Sequence, residues 1–359
     1  MNILFSAVLL LCYAAGVVSP RIFWPLALLG MAYPFVLMVH LGLLVWWAIF
    51  RPKRMLLSLA VILAGWSHLS DYFRPWGRTA PDQALAGPEF KVMSYNVRLF
   101  DLYNWSHNKH TRDGIFDLLA LENADILCLQ EFYSTDNTVA FNTKDTLLTH
   151  FRWTQLHDAY TQHTKRGQHF GIATLTTYPI IDRGNIEFPD DLNNLCIWSD
   201  VVIGADTLRV YNAHLASIRF GDEDYRFMEG LDTHTPNDSI RNGGARILKR
   251  LHDAFVRRAE ETGMIAAHMH SSPHPVIYCG DLNDTPMSYS YDQLTTQLTD
   301  AFVESGRGVG HTYIGAFPSF RIDHILHGPE LTSWGFRTLP DELSDHHPIT
   351  CWMGRVQGP

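Results

Sequence analysis

The chain has no CxxC pair, although it carries five cysteines in 359 residues. Cys12, Cys128, Cys196, Cys279 and Cys351 are scattered and sit mostly within apolar runs, which reads as buried free thiols rather than a disulfide framework or a thiolate metal site. Acidic residues are nearly missing from the first 80 positions, where Asp71 is the one carboxylate against six basic residues. The remainder holds 22 of the 28 basic residues and 36 of the 37 acidic ones, a formal charge of −14. A domain so poor in positive charge is unsuited to tight, non-specific binding along duplex DNA, where Lys and Arg neutralising phosphates supply most of the affinity. Nuclease chemistry in a cleft of different local charge stays open. No internal repeat or low-complexity tract is present.

Charge is also missing from long stretches near the N-terminus. Ile3–Val18 is uncharged and closes on Ser19-Pro20-Arg21, and Phe23–Phe50 is a second such stretch. The second exceeds the roughly 20 apolar residues that a bilayer crossing needs. Met55–Trp66 is short, and reaches a spanning length only with Ser67–Phe73 at the interface. No basic region precedes the first segment and no small-x-small cleavage site follows it, so a retained anchor is expected rather than a signal peptide. Three transmembrane helices are expected over two. Arg51-Pro52-Lys53-Arg54 is the basic cluster among these segments, and the positive-inside rule sets it in the cytoplasm. With three spans, everything after Phe73 lies on the far side, the periplasm of a bacterium with two membranes; with two, it faces the cytoplasm. The expectation is a multi-pass protein of the bacterial inner membrane with a periplasmic catalytic domain. Pro, Gly and Ala dominate from Pro75 to Gly87 and predict a linker. The resulting division is an anchor over 1–74, a linker over 75–89 and a soluble domain over 90–355.

From Phe90 onward, short β-rich runs end in polar residues. Lys91–Tyr95 runs into Asn96, and Asp125–Leu129 into Gln130-Glu131. Leu208–Tyr211 runs into Asn212 and His214, Val276–Cys279 into Gly280-Asp281-Leu282-Asn283, and Arg321–Leu326 contains Asp323. Near the C-terminus, Ser344-Asp345-His346-His347-Pro348-Ile349 sets a carboxylate beside imidazoles. Carboxylates with imidazoles and amides suit the holding of a divalent metal and a proton-transfer group against a phosphate. A hydrolase of phosphate esters is therefore expected. Helical patterns intervene at Asp113–Ala120 and at Ser239–Glu261, where Ile247, Leu248, Leu251, Phe255 and Val256 recur near the helical period. The tract His268-Met269-His270-Ser271-Ser272-Pro273-His274 reads as a solvated loop. Mixed strands and helices predict an α/β layered sandwich, two sheets face to face with helices outside. Hydropathy predicts the layers, not the convergence of the strand ends.

The ordered set SYNVRLF, LCLQEF, GIATLTTYPI, YNAHLAS, YCGDLNDTP, TYIGAFPSFRIDHIL and SDHHPI resembles the endonuclease/exonuclease/phosphatase superfamily from Phe90 to Trp352. That superfamily holds pancreatic-type deoxyribonucleases, abasic-site endonucleases, inositol polyphosphate phosphatases and bacterial sphingomyelinases. Each motif alone is weak; their order carries the resemblance. The apolar N-terminus is similar to that of membrane-anchored bacterial members. The resemblance implies a four-layer α/β/β/α sandwich, DNase-I-like, and a Mg²⁺ or Mn²⁺ cofactor, in keeping with hard oxygen ligands. It implies Glu131 as the principal metal ligand, Asn96 as a further ligand or as the support of Glu131, and Asp345 completing the metal site directly or through water. It also implies His346 as the proton-transfer group, oriented by Asp323. Asp281 would activate or orient the attacking water, Asn283 would hold the phosphate or Asp281, and His214 would donate to a phosphoryl oxygen. Whether His346 or Asp281 is the base stays open. Abasic-site endonucleases carry Tyr where this chain has His214, which sides it with the other branches. Arg98 reads equally as a phosphate contact or a surface residue, His347 as structural, Asp284 as a turn cap, and His169 and His324 as cleft candidates.

The leading expectation is a membrane-anchored, divalent-metal-dependent phosphoesterase. It would hydrolyse a phosphomonoester or phosphodiester of a small molecule or lipid headgroup by metal-assisted attack of water. A metal-dependent nuclease is the alternative, and the same residues permit it. A non-catalytic binding protein is disfavoured because no catalytic position is lost. The expected partners are the phosphate ester and the bilayer, with nucleic acid under the alternative; no protein partner is readable. Specificity falls to the loops Leu102–Thr111 and Ile218–Ser239, where Tyr103 and Trp105 either stack on a base or sugar or pack on their own domain.

Overall fold

Proline sets the outline of the N-terminal 72 residues. A computed structural model describes residues 2–136, 141–189, 191–230, 237–315 and 320–357. It divides the apolar N-terminus into α1 (Asn2–Val17), α2 (Pro20–Phe23), α3 (Pro25–Met31), α4 (Tyr33–Phe50), α5 (Pro52–Ala64) and α6 (Trp66–Tyr72). Pro20, Pro25, Pro34 and Pro52 each stand in the first turn of a helix, where the missing N–H costs nothing, and each ends the helix before it. The stretch Phe23–Phe50 is therefore not one helix but a short one, a corner at Ala32 and a long one. Among the described residues, Tyr33–Phe50 is the one helix long and apolar enough to cross a membrane, and Asn2–Val17 falls short of that length. Helix length thus supports one crossing where three were expected.

The helices nevertheless pack together, α1 and α5 running in the same direction and α4 opposite to them. Asn2, at the start of α1, donates from its amide to the Arg54 carbonyl at 2.9 Å and accepts from Ser58 Oγ at 2.8 Å. Gly16, at the other end of α1, lies beside Asp292 of the following domain. Leu9, Cys12, Tyr33, Leu37, Val61 and Ile62 are buried together, and Met287 of that domain joins them. A Cβ on Gly30 would meet the Met287 carbonyl at 2.4 Å, so this contact requires glycine. Met287 N–H donates to the Tyr72 hydroxyl at 3.1 Å and Arg321 to the Asp71 carbonyl at 2.8 Å.

The segment expected as a linker lies along the domain that follows. Arg74 pairs with Gly308 and Leu85 with Val356. Arg78 donates to the Ser333 carbonyl at 2.6 Å and pairs with Glu304 at 2.7 Å.

Beyond it, the described residues form twelve strands: β1 (Phe90–Asn96), β2 (Ile126–Thr135), β3 (Gln155–His163), β4 (Gln168–Thr176), β5 (Ile180–Glu187), β6 (Leu195–Ile203), β7 (Asp206–His214), β8 (Val276–Asp281), β9 (Thr299–Asp300), β10 (Asp323–His327), β11 (Leu331–Thr338) and β12 (Ile349–Arg355). They form two six-stranded sheets, ordered β11-β12-β1-β2-β4-β3 and β5-β6-β7-β8-β10-β9. Each sheet has one parallel pair near its middle, β1 with β2 and β7 with β8. The helices are α7 (Thr111–Glu122), α8 (Thr143–His150), α9 (Asp222–Glu229), α10 (Asn237–His270), α11 (Tyr289–Thr295) and α12 (Ala301–Ser305).

Successive side chains of a strand point to opposite faces, and the clusters follow that rule. Val92, Ile126, Cys128, Val210, Ile277 and Ile349 fill the space between the sheets. Met93, Tyr95, Leu127 and Leu129, on the other face, pack with Ile115, Leu118 and Leu119 of α7. Tyr211, Ala213 and Tyr278 pack with Ile265, Ala266 and Met269 of α10. The order is helix, sheet, sheet, helix, as expected. Helix α10 runs past the predicted end at Glu261 to His270, so His268 is helical, not in a solvated loop, and its Nδ1 meets the Tyr211 hydroxyl at 2.8 Å. All five cysteines are free and buried.

Candidate active site

Strand register explains why polar strand ends meet. His214 is the partner of Asp281 across β7 and β8, and Asp323 the partner of Asp281 across β10 and β8. Residues opposite one another share a face of the sheet. Three predicted site residues therefore stand in one row at the end of the second sheet. In the first sheet, Asn96 at the end of β1 is the partner of Gln130, and Gln130 donates across the gap to Asn212 Oδ1 at 2.7 Å. That buried bond ties the two sheets together behind the row.

Glu131 enters the site through a β-bulge. The β2–β4 register runs from Leu129 opposite Ala173 to Phe132 opposite Gly171, so Gln130 and Glu131 together face Ile172. Leu129 and Phe132 both pack on the helical side while Gln130 points between the sheets. The extra residue is Glu131, in a left-handed conformation with φ 48°. A bulge of this kind re-aims a side chain at a sheet edge, and here it frees Glu131 from both cores.

Asn96 bridges the sheets. Its amide donates to Glu131 Oε1 at 3.3 Å and to Asp281 Oδ2 at 3.1 Å, while its Oδ1 accepts from Arg98 N–H at 3.1 Å. In this orientation the Asn96 amide faces the carboxylates and its carbonyl oxygen faces the Arg98 N–H. Asp281 is fully buried; its Oδ1 accepts from Asn283 N–H at 2.8 Å, and His214 Nε2 and His346 Nε2 each lie 3.7 Å from its Oδ2. Asn283, with φ 51°, directs its amide to the Leu215 carbonyl at 3.0 Å and to His214 Nε2 at 3.3 Å. His346 Nδ1 is 2.9 Å from Asp323 Oδ2, and its ring meets Tyr313 edge-on at 5.2 Å. Asp345 lies on the same cavity, 3.3 Å from Arg98 Nε and 3.3 Å from Ser344 Oγ.

Burial and like charge set the protonation of these groups. Burial pushes the Asp281 carboxyl up, reinforced by Asp323 and opposed by His346 and His214. Glu131 is raised by burial and by Asp345. Burial works against a charge on His346, but Asp323 and Asp281 outweigh it and push that imidazole up to about 10. His214 is lowered, because burial outweighs Asp281.

All eight predicted site residues come together: Asn96, Glu131, His214, Asp281, Asn283, Asp323, Asp345 and His346. Of the weaker candidates, Arg98 joins them through Asp345 and Asn96, and Asp284 lines the same cavity; the histidines do not. His324 is buried between Arg321 and Asp300 at 2.9 and 3.5 Å. His169 meets His163 at 2.7 Å and Asp136 at 3.0 Å near the start of β4. His347 faces away, toward the Asp341 carbonyl and the His311 ring. Asp284 caps Thr285 N–H at 3.0 Å, as expected of a turn residue, and pairs with Arg258. Arg98 stacks over Trp105 at 4.8 Å, so that aromatic packs on its own domain. In the second specificity loop, Asp222–Glu229 is helical and residues 231–236 lie outside the described residues. Sequence reasoning missed Tyr313, whose only signal was its place in TYIGAF, and missed the contribution of Met31, Ala32 and Phe35 to the cavity.

Comparison with known proteins gives two family matches. Residues 1–72 match a domain family of unknown function, and residues 93–346 match the Endonuclease/Exonuclease/phosphatase family. No curated protein matches the chain. Among solved structures, a humanized D. rerio TDP2 is 16% identical with a TM-score of 0.53, over 74% of this chain and 99% of that one. The human Nocturnin catalytic domain is 16% identical with a TM-score of 0.54, over 77% and 97%. A mannosyl-6-phosphatase of Bacteroides thetaiotaomicron is 16% identical with a TM-score of 0.53, over 74% and 99%. At this identity the likeness concerns the fold. The family match spans most of the chain, its boundaries enclose all eight site residues named above, and the chain accordingly belongs to the endonuclease/exonuclease/phosphatase family of metal-dependent hydrolases acting on phosphoester bonds.

Proposed function

We propose that this protein is a membrane-anchored phosphoesterase that hydrolyses a phosphate ester of a small molecule or lipid headgroup, with residues 90–355 as its catalytic domain. The observation that carries the reading is the convergence of Glu131, Asp281 and His346 on one cavity, with Asn96 bonded to two of them. The donor set fits a hard divalent cation. Four carboxylates, Glu131, Asp281, Asp323 and Asp345, crowd together, and Asp323 Oδ1 is buried with no hydrogen-bond partner among the described residues. Glu131 would hold the ion, steadied by Asn96, with Asp345 completing the site. Bound there, Mg²⁺ or Mn²⁺ would neutralise charge on the phosphoryl oxygens and make the attacking water more acidic.

The remaining steps belong to the chain's own groups. Asp281, raised toward neutrality and fixed by Asn96 and Asn283, takes the proton of the attacking water. His346 keeps its proton because Asp323 holds Nδ1, and it presents Nε2 to the developing negative charge. This orientation favours Asp281 over His346 as the base. Asn283 fixes the His214 ring at the opposite side of the same row.

Anchoring is supported by the packed helices of residues 1–74. Their far end carries Arg51, Lys53 and Arg54 beside Asn2, and their flanks expose Leu10, Leu11, Val45, Trp46, Ile49 and Leu63. An apolar surface of this extent belongs against lipid or another protein. Were α1, α4 and α5 to cross together with their basic end in the cytoplasm, the catalytic domain, which meets the opposite end of the helices, would face outward, into the periplasm of a bacterium with two membranes. Residues 75–89 connect the two parts.

Among the structural relatives, one is a mannosyl-6-phosphatase and a D. rerio TDP2 is complexed with a single-stranded DNA product; the choice between such substrates rests on the largely apolar cavity and the acidic domain. Full-length protein assayed with Mg²⁺ on p-nitrophenyl phosphate, its bis ester, phospholipids and plasmid DNA tests the proposal. Turnover of the small or lipid esters, abolished by EDTA and restored by Mg²⁺ or Mn²⁺, is expected. Plasmid nicking without turnover of any small or lipid ester would replace this reading with a nuclease.

A further inference from the structure

The cavity of about 520 Å³ at the active site has two chemically different ends. Glu131, Asp281, Asn283, Asp345 and His346 form one end. The other is walled by Ile218, Ile247 and Leu251 of the catalytic domain and by Met31, Ala32 and Phe35 from the corner between α3 and α4. That corner is seated firmly. Ala27 is buried with Leu251 and Phe255, and Trp24 and Met31 pack on the same cluster. Trp24 meets His252 edge-on at 5.6 Å, Phe35 meets Phe320 at 6.4 Å, and Arg21 pairs with Glu260 at 3.3 Å.

We infer that Met31, Ala32 and Phe35 belong to the substrate site, and that the substrate is a phosphate ester carrying an aliphatic chain. Its phosphate lies at the Glu131, Asp281 and His346 end and its chain against the α3–α4 corner. The inference deepens the phosphoesterase reading and rests on it. A compact polar headgroup would leave the apolar wall facing water, and Phe35 is already 48% exposed there. An aliphatic chain covers that wall and gains from leaving water. The two arginines that line the cavity, Arg219 and Arg258, are already paired with Asp191 and Asp284, which leaves them less able to meet the successive phosphates of a nucleic acid. The corner is also where the helical group meets the catalytic domain, so a chain leaving the bilayer surface reaches the cavity without passing through the domain. Residues 1–74 are then part of the enzyme's specificity as well as its anchor.

Calorimetric binding of alkylphosphonates from ethyl to octyl to the metal-free, full-length protein in nanodiscs tests the inference, with protein-free discs subtracted for partitioning. Affinity should tighten roughly three- to fourfold for each methylene that enters the apolar end. Ala32→Trp, which fills that end, should flatten the dependence on chain length, and Phe35→Ser should weaken it. A flat series in the unaltered protein overturns the inference, as does an unchanged slope in both variants. Turnover of p-nitrophenyl phosphate with Mg²⁺ is measured alongside. Turnover with a flat series removes only the aliphatic substrate; length-dependent binding with no ester hydrolysed retains the chain site and removes the phosphoesterase reading.

Discussion

Glu131 is the most direct test of the site at the scale of a single residue. Its side chain is 34% exposed and belongs to neither core, so Glu131→Ala should leave the fold intact while lowering kcat by about 10²–10³, the usual loss when one group acting on transition-state charge is removed. Matching circular dichroism with near-normal turnover would remove Glu131 from the mechanism. Asp323 acts through its neighbour. It is the main influence lifting the His346 imidazole to about 10 against the opposing effect of burial, so its loss should lower the pKa of that ring. Proton NMR titration of the metal-free Asp323→Asn protein should find His346 titrating at lower pH than in the unaltered chain; an unmoved value would contradict the pairing. The residue types at these positions were legible in the sequence, because a carboxylate, amide or imidazole closing an apolar run is conspicuous. The mutual orientation of Asp281, His346 and Asp323 was not, since it depends on which nitrogen faces which carboxylate.

At the scale of elements, the bulge in β2 determines whether Glu131 reaches the site at all. Gly171 stands opposite Phe132, just beyond the bulge, and a Cβ there would lie 1.9 Å from the Ala159 carbonyl oxygen and 2.7 Å from Tyr160 Cα. Both are backbone atoms of β3 and cannot step aside. Gly171→Ala should therefore cost about 1–3 kcal/mol, visible in the urea midpoint, and should reduce activity through the displaced bulge; full stability in that variant would mean β3 and β4 have slack. Strands β1, β2, β7 and β8 were readable from their apolar runs. Strand β6 was hidden because Ser199 and Asp200 interrupt its pattern, and both are buried against partners on other strands, His157 at 2.9 Å and Arg209 at 2.7 Å. The end of α10 was hidden by Thr262-Gly263, a pair of weak helix formers. The helix continues because Ile265, Ala266 and Met269 find Tyr211 and Tyr278 on the sheet, and tertiary packing outweighs local preference.

At the scale of the whole molecule, the join between the N-terminal helices and the catalytic domain carries buried charge. Arg321 pairs with Asp300 at 2.7 Å and reaches the Asp71 carbonyl of α6. Glu304 performs a similar task for the connecting segment, taking Arg78, His327 and Ser333 together. Burial alone would raise Glu304, but His327 and Ser333 outweigh it and hold the carboxyl at about 2, below its ordinary 4.5. A depressed carboxyl contributes stability that is complete above the unfolded value and lost as pH falls through the folded one. Unfolding midpoints should accordingly drop from near pH 4.5 toward pH 2, and Glu304→Gln should shrink that drop; an equal drop in the variant would assign the acid sensitivity to other carboxylates. Taken alone, the sequence determined the apolar N-terminus, the layered α/β architecture and the residue types that close its strands, because period and residue type are local properties of a chain. Convergence of those residues on one cavity, the aim of Glu131 and the use of α3 and α4 as a wall of the site were decided only by the tertiary structure, since strand register, a single inserted residue and the docking of distant helices depend on contacts that no local pattern encodes.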